Sequence, residues 1–119
     1  MTTSTPFRLE PSFHEKPWGV TDLSPWFPPA AGKTGEVWFS SPAAGSLPLL
    51  VKFIFTSDWL SVQVHPDDGY AREREGAGGG KSEMWYVLRA EPGAQIAAGF
   101  REPLSKERLR QAALSGEIE

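Results

Sequence analysis

The stretch from residue 35 to residue 56, GEVWFSSPAAGSLPLLVKFIFT, decides the fold class. Apolar residues fill two short runs in it, residues 35–40 and 47–56. Serine, proline and glycine separate the runs, and these residues favour tight turns. Two strand-like runs joined by turn residues predict neighbouring antiparallel strands, with the turn at residues 45–48.

The rest of the chain repeats this pattern after a proline-rich entry at residues 17–29. Apolar runs at residues 59–65, 84–90 and 94–100 are further strand candidates. The 119 residues include 11 prolines and 12 glycines, which argue against a helical bundle. The sequence therefore predicts a mainly β fold, a sandwich or a barrel of antiparallel sheets.

The spacing of apolar residues changes in the last part of the chain. Leu104, Leu109 and Ala112 recur at helical spacing. Ser105 suits the first position of a helix and Gly116 suits its end. We expect one C-terminal helix from residue 105 to residue 115.

Composition excludes several classes of function. A net charge of -3 shows no basic excess, so a nucleic-acid partner is not expected. The sequence shows neither a secretory signal nor an apolar run long enough to cross a membrane, which predicts a cytoplasmic protein without a membrane partner. Because the chain has no cysteine and two histidines, any metal must be held by histidine, carboxylate or amide oxygen.

The segment WLSVQVHPDD, residues 59–68, carries the candidate ligands. Side chains of a strand alternate between its faces, so Gln63 and His65 share the face opposite Val62 and Val64. A half-exposed structural strand alternates in the same way, so this segment alone leaves both interpretations open.

Glu83 begins the next candidate strand, beside aromatic residues. An amide oxygen of Gln63, an imidazole nitrogen of His65 and a carboxylate oxygen of Glu83 on neighbouring strands would suit zinc or a similar divalent ion. The other histidine, His14, lies in a polar, turn-rich segment and is assigned no role.

The segment EGAGGGKS, residues 75–82, invites a nucleotide-binding interpretation. The phosphate-binding loop pattern needs glycine at position 75, where this chain has Glu75, and it needs a helix after the loop. We therefore interpret the glycines at 76–80 as a mobile loop.

These motifs, in the order in which they occur along the chain, resemble the N-terminal part of type I phosphomannose isomerases, which are zinc-dependent cupins. The resemblance rests on six segments that cover most of the chain: EKPWG at 15–19, GEVW at 35–38, LPLLVKFI at 47–54, LSVQVHPDD at 60–68, GKSEMWYVL at 80–88 and ALSGEIE at 113–119.

The resemblance implies a cupin-like fold, a double-stranded β-helix or jelly roll, as a single domain over residues 1–119 that is incomplete. It implies that Gln63, His65 and Glu83 bind one Zn²⁺ ion. Lys52 and Lys81 would contact the phosphate of the sugar-phosphate substrate. The family's second zinc histidine and its catalytic arginine come later than Glu119, so we expect zinc binding to be weak or absent and assign no acid/base residue.

Three functions remain open. The favoured one is mannose-6-phosphate isomerase, an aldose–ketose isomerase that interconverts mannose 6-phosphate and fructose 6-phosphate. The alternatives are a non-catalytic cupin-like module that binds sugar phosphate or metal, and a structural β domain that keeps the motifs as relics. Uncovered strand edges near Ile54, Phe55 and Leu60 further predict a homodimer.

Overall fold

The computed structural model describes residues 6–42 and 47–118. The chain forms two compact units, residues 1–60 and 61–119. Half of the turn predicted at 45–48 lies outside the described residues. The assignment of residues 1–119 to one domain stays a prediction.

The first unit is an antiparallel sheet of three strands in the order β1-β2-β3. Strand β1 is Glu10–Val20, β2 is Thr34–Ser40 and β3 is Val51–Ile54. The prediction for β2 is confirmed, and the one for residues 47–56 holds for its central part. Sequence reasoning missed β1 because of its prolines. As an edge strand, β1 does not need every N–H for pairing, so it tolerates them.

One face of this sheet is aromatic. The register places Phe13, Val37 and Phe53 side by side on it. The ring of Phe27, from the connection between β1 and β2, lies 5.4 Å from both Phe13 and Phe53 and meets them edge to face. Val37 and Leu23 are fully buried, which places the core of the first unit under this face.

The opposite face of the sheet is polar. Strand alternation and register place five of its side chains there: Ser12, His14, Glu36, Trp38 and Lys52. Glu36 is 8% exposed, a rare degree of burial for a carboxylate. Such burial requires partners for its charge, and the neighbouring side chains provide them.

The second unit contains two helical segments. The first consists of a short helix α1, Asp68–Tyr70, that continues into a π-helical turn, Ala71–Glu75. The second is α2, Lys106–Ser115, which confirms the predicted C-terminal helix. The Ser105 hydroxyl accepts from the Arg108 amide at 3.1 Å, and Gly116 ends the helix with a φ of 79°. No helix in the described ranges has the length and apolar character needed to span a bilayer.

The prediction of three further strands is wrong. Residues 59–65, 84–90 and 94–100 form no strand in the structure. The cause is the absence of a neighbour, because a strand is stable only when another strand satisfies its backbone groups. Their apolar side chains stay in water: Val64 is 81% exposed and Met84 is 87% exposed. The regular structure of the chain is nevertheless mainly β and antiparallel, as predicted.

Candidate metal centre

Two of the three predicted metal ligands lie in direct contact. The Nε2 atom of His65 is 2.7 Å from Oε2 of Glu83, although 18 positions separate them in the chain. Their side chains are 25% and 20% exposed. The pair therefore lies near the surface, where a small ion or ligand can reach it.

A loop between the two motifs brings these residues together. The Lys81 amide donates to the Pro66 carbonyl at 3.0 Å, and the Gly80 amide donates to Oδ1 of Asp68 at 2.9 Å. Pro66 directly follows His65, and Lys81 lies two positions before Glu83. These two hydrogen bonds, which we call the clasp, hold the ends of the loop together beside the pair.

Gly80 allows the clasp to close. A Cβ atom at this position would lie 2.5 Å from the Asp67 carbonyl carbon and 2.8 Å from the Asp68 amide nitrogen, closer than real Cβ contacts. The sequence interpretation treated residues 76–80 only as a mobile loop and missed this role. The available signal was the glycine that directly precedes Lys81 in the GKSE motif.

The two aspartates of the HPDD motif organise the loop. Oδ1 of Asp67 accepts from the Tyr70 amide at 2.7 Å and so caps α1. The Asp68 carboxylate accepts the Gly80 amide of the clasp. Both carboxylates therefore stabilise the backbone that carries His65.

The 2.7 Å separation of the pair is that of a hydrogen bond and is shorter than the separation of two ligand atoms on zinc. Zinc binds imidazole nitrogen and carboxylate oxygen at about 2.0–2.2 Å, so tetrahedral ligand atoms stand about 3.3 Å apart. The Nε2 atom of His65 and the Oε2 atom of Glu83 are 2.7 Å apart, so they would have to separate by about 0.6 Å to take an ion between them. Their donor types, one nitrogen and one oxygen, are ones that zinc accepts.

The third predicted ligand, Gln63, lies two positions before His65 and is exposed. Within residues 6–42 and 47–118, no three His, Cys, Asp or Glu side chains form a group that could hold a metal ion. A protein site with three ligands here would therefore have to recruit the amide of Gln63.

Lys81, which the resemblance assigns to the substrate phosphate, lies beside the pair. Its Nζ atom is 3.6 Å from Oε2 of Glu83, and its side chain is 49% exposed. Lys81 also lines an open cleft of about 490 Å³. The cleft is formed by Pro66, Asp67, Asp68, Gly69, Gly80, Lys81 and Ser82. The ammonium group is thus available to an anion.

Lys52 belongs to the first unit, where it binds Glu36. Its Nζ atom donates to Oε1 of Glu36 at 2.9 Å, and the indole of Trp38 donates to Oε2 at 3.1 Å. Burial raises the pKa of Glu36, but the hydrogen bonds from Lys52 and Trp38 and the charges of Lys52 and Lys16 together hold this pKa below its ordinary value. The carboxylate is therefore ionised and bound to the ammonium.

Sequence reasoning did not single out Glu36. The signal was a carboxylate at an alternating position of a β run, with Lys52 on the next run. His14, to which no role was assigned, lies on the same face. Its ring is 4.3 Å from that of Trp38, and its Nε2 atom is 3.0 Å from the Ser12 hydroxyl.

Comparison with known proteins identifies the family. A mannose-6-phosphate isomerase from Streptococcus mutans is 49% identical over 66% of this chain, a match that covers 24% of that protein. A probable mannose-6-phosphate isomerase from Bacillus subtilis, GmuF, is 34% identical over 94% of this chain and 46% of its own length. The chain belongs to the mannose-6-phosphate isomerase family.

A second Bacillus subtilis member of this family, the mannose-6-phosphate isomerase ManA, is 28% identical over 88% of the chain and 44% of its own length. No protein-family model and no solved structure matches the chain. The chain spans less than half the length of these isomerases, which fits the predicted N-terminal portion.

Proposed function

We propose that the chain carries the metal-binding motifs of a mannose-6-phosphate isomerase, an enzyme that interconverts mannose 6-phosphate and fructose 6-phosphate. The observation that carries this proposal is the 2.7 Å contact between His65 and Glu83. Each residue belongs to a separate family motif, and the loop between them is closed by the clasp. The relatives named as mannose-6-phosphate isomerases support the same reaction.

The proposed cofactor is one Zn²⁺ ion, held by Gln63, His65 and Glu83. Gln63 is exposed and lies two positions before His65, so its amide oxygen is accessible to an ion. When bound, the ion supplies positive charge where an oxyanion develops during proton transfer between adjacent sugar carbons.

Two lysines are the proposed contacts for the substrate phosphate. Lys81 has an accessible ammonium beside Glu83, and an ammonium acts as a point charge toward phosphate. The role of Lys52 follows from its place in the LPLLVKFI motif of the family. The acid/base residue of the reaction is not assigned.

Zinc titration of the purified chain tests the site. We expect one weakly bound zinc per chain, with binding abolished by His65→Ala and retained by the matched control His14→Ala, which removes the other histidine. Binding should weaken as pH falls, because metal ligands must lose their protons. Zinc binding that persists in His65→Ala would place the metal elsewhere and contradict the proposed centre.

A coupled assay with mannose 6-phosphate tests the reaction. Isomerase activity that is lost in both His65→Ala and Glu83→Gln would support it. Zinc and sugar-phosphate binding without turnover would instead assign the chain to the non-catalytic cupin-like module. If the chain binds neither zinc nor sugar phosphate, the structural β domain is the remaining interpretation.

The cupin-like fold, the homodimer and the cytoplasmic location belong to the same proposal. The dimer is supported by exposed apolar side chains, among them Val62 at 50% and Val64 at 81%. Apolar surface in contiguous patches favours association. Light scattering at micromolar concentration should give twice the mass of the chain, and a stable monomer would contradict the dimer.

A further inference from the structure

Glu36 is the centre of a charged network on the polar face of the sheet. Its two carboxylate oxygens have different partners: Oε1 accepts from Lys52 at 2.9 Å, whereas Oε2 accepts from the Trp38 indole at 3.1 Å. The ammonium of Lys16 lies 3.9 Å from Oε2. The side chains of Glu36 and Lys52 are 10% and 18% exposed, so the pair is largely shielded from water.

The strand register explains how these side chains meet. Trp38 of β2 is opposite Lys52 of β3, and Glu36 is opposite Ile54. Lys52 therefore reaches Glu36 along the diagonal between neighbouring strands, a contact available to long side chains. Backbone pairing fixes both Cα positions, and the hydrogen bond then fixes the flexible end of Lys52.

We infer that Glu36 is a positioning residue, which orders the Lys52 ammonium on the polar sheet face so that it meets an anionic sugar phosphate already in place. The functional part of this inference rests on the proposed role of Lys52 in substrate binding. A lysine side chain loses considerable conformational freedom when a ligand immobilises it. A partner that orders the side chain beforehand lowers that cost when the ligand binds.

The proposed ordering of the Lys52 side chain depends on the two acceptor oxygens of Glu36. A carboxylate can accept from Lys52 and from Trp38 at once, whereas a glutamine has one acceptor oxygen and an NH₂ group that would face the second donor. Glu36→Gln must therefore lose one of the two bonds. Glu36→Asp keeps the charge and both acceptors on a side chain that is shorter by one methylene.

Side-chain dynamics test the positioning directly. The measurement is the ¹³C relaxation order parameter of the Lys52 Cε methylene, with exposed Lys106 as the reference in the same spectrum. We expect the Lys52 order parameter to exceed that of Lys106 in the natural chain, to fall in Glu36→Gln, where a neutral amide replaces the negative charge that holds the ammonium, and to keep an intermediate value in Glu36→Asp. Unchanged order at Lys52 in a folded Glu36→Gln chain would overturn the inference.

If Glu36→Gln does not fold, Glu36→Asp provides the test. Its shorter carboxylate preserves a buried charge for Lys52 while weakening its reach. An order parameter at Lys52 that equals the natural value would overturn positioning, and a reduced value would support it. Backbone amide spectra of each variant show whether the sheet is intact.

Titration with mannose 6-phosphate tests the functional part. We expect Glu36→Gln to raise the dissociation constant about two- to tenfold, the cost of ordering one long side chain on binding. The same substitution should have no effect in a Lys52→Met background. An unchanged or lower dissociation constant in Glu36→Gln would show that Glu36 only neutralises Lys52, and would overturn the inference.

The two failures are distinguishable. If the natural chain does not bind mannose 6-phosphate, the proposed function fails. The order parameter of Lys52 then decides the positioning role by itself.

Discussion

Gly80→Ala should open the loop that brings the candidate ligands together. The added Cβ would lie 2.5 Å from the Asp67 carbonyl carbon and 2.8 Å from the Asp68 amide nitrogen, where ordinary contacts begin at about 3.4 Å. The backbone must therefore move by several tenths of an ångström or more. Both clasp bonds are at risk, Gly80 to Asp68 and Lys81 to Pro66.

The magnitude follows from those two bonds. Each contributes about 1 kcal/mol net, so losing both costs about 2 kcal/mol of local stability, a factor of about 30 in the opening equilibrium. Amide hydrogen exchange measures this opening at Lys81. Zinc affinity should fall in parallel, because an open clasp no longer holds His65 beside Glu83.

The same loop offers a matched control. Gly78 has no heavy atom within 4 Å of an added Cβ, and its φ lies outside the left-handed range, so Gly78→Ala tests the loss of a glycine without a clash. Exchange at Lys81 should stay close to that of the natural chain in this variant. Equal exchange rates in Gly80→Ala and Gly78→Ala would refute the role given to the clasp.

Two further predictions concern the first unit. Phe53→Ala should destabilise it by about 3 kcal/mol in urea unfolding, because Phe53 packs against the rings of Trp26, Phe27, Phe39 and Phe55. Val51→Ala, on the same strand and 52% exposed, is the control and should cost under about 1 kcal/mol. The pKa of Glu36 is lowered in the folded state, so its stabilisation is complete above the ordinary value of 4.5 and is lost as pH falls through the lower folded value. The stability difference between the natural chain and Glu36→Gln should therefore shrink in acid, and a difference that stays constant between about pH 6 and pH 3 would contradict this assignment.

The sequence predicted the parts of the fold that depend on nearby residues. Strand β2 and helix α2 were found because their signals are local: alternation in one case, and the Ser105 and Gly116 caps in the other. Strand β1 was missed because Pro17 and Gly19 suggest an irregular segment. Its position at an edge, which makes proline acceptable, is a property of the sheet that no local pattern shows.

The candidate site was also predicted only where the signal is local. The contact between His65 and Glu83 was expected from their motifs, and the structure confirms their proximity. The expected framework was wrong, since the segments around them are not paired strands. The roles of Gly80 and Glu36 could not be found by periodicity, because each depends on atoms from another segment: the Asp67 and Asp68 backbone for Gly80, and the ends of Lys52 and Trp38 for Glu36.

The contact between His65 and Glu83 therefore does not require paired strands around it. Residues 59–65 and 84–90 satisfy no sheet ladder, yet His65 and Glu83 meet, because Pro66 and Lys81 close the intervening loop by a backbone hydrogen bond. Closing such a loop costs entropy that grows only slowly with length, and the hydrogen bonds of the clasp offset part of that cost. The geometry of the pair thus depends on contacts within the segment from residue 65 to residue 83.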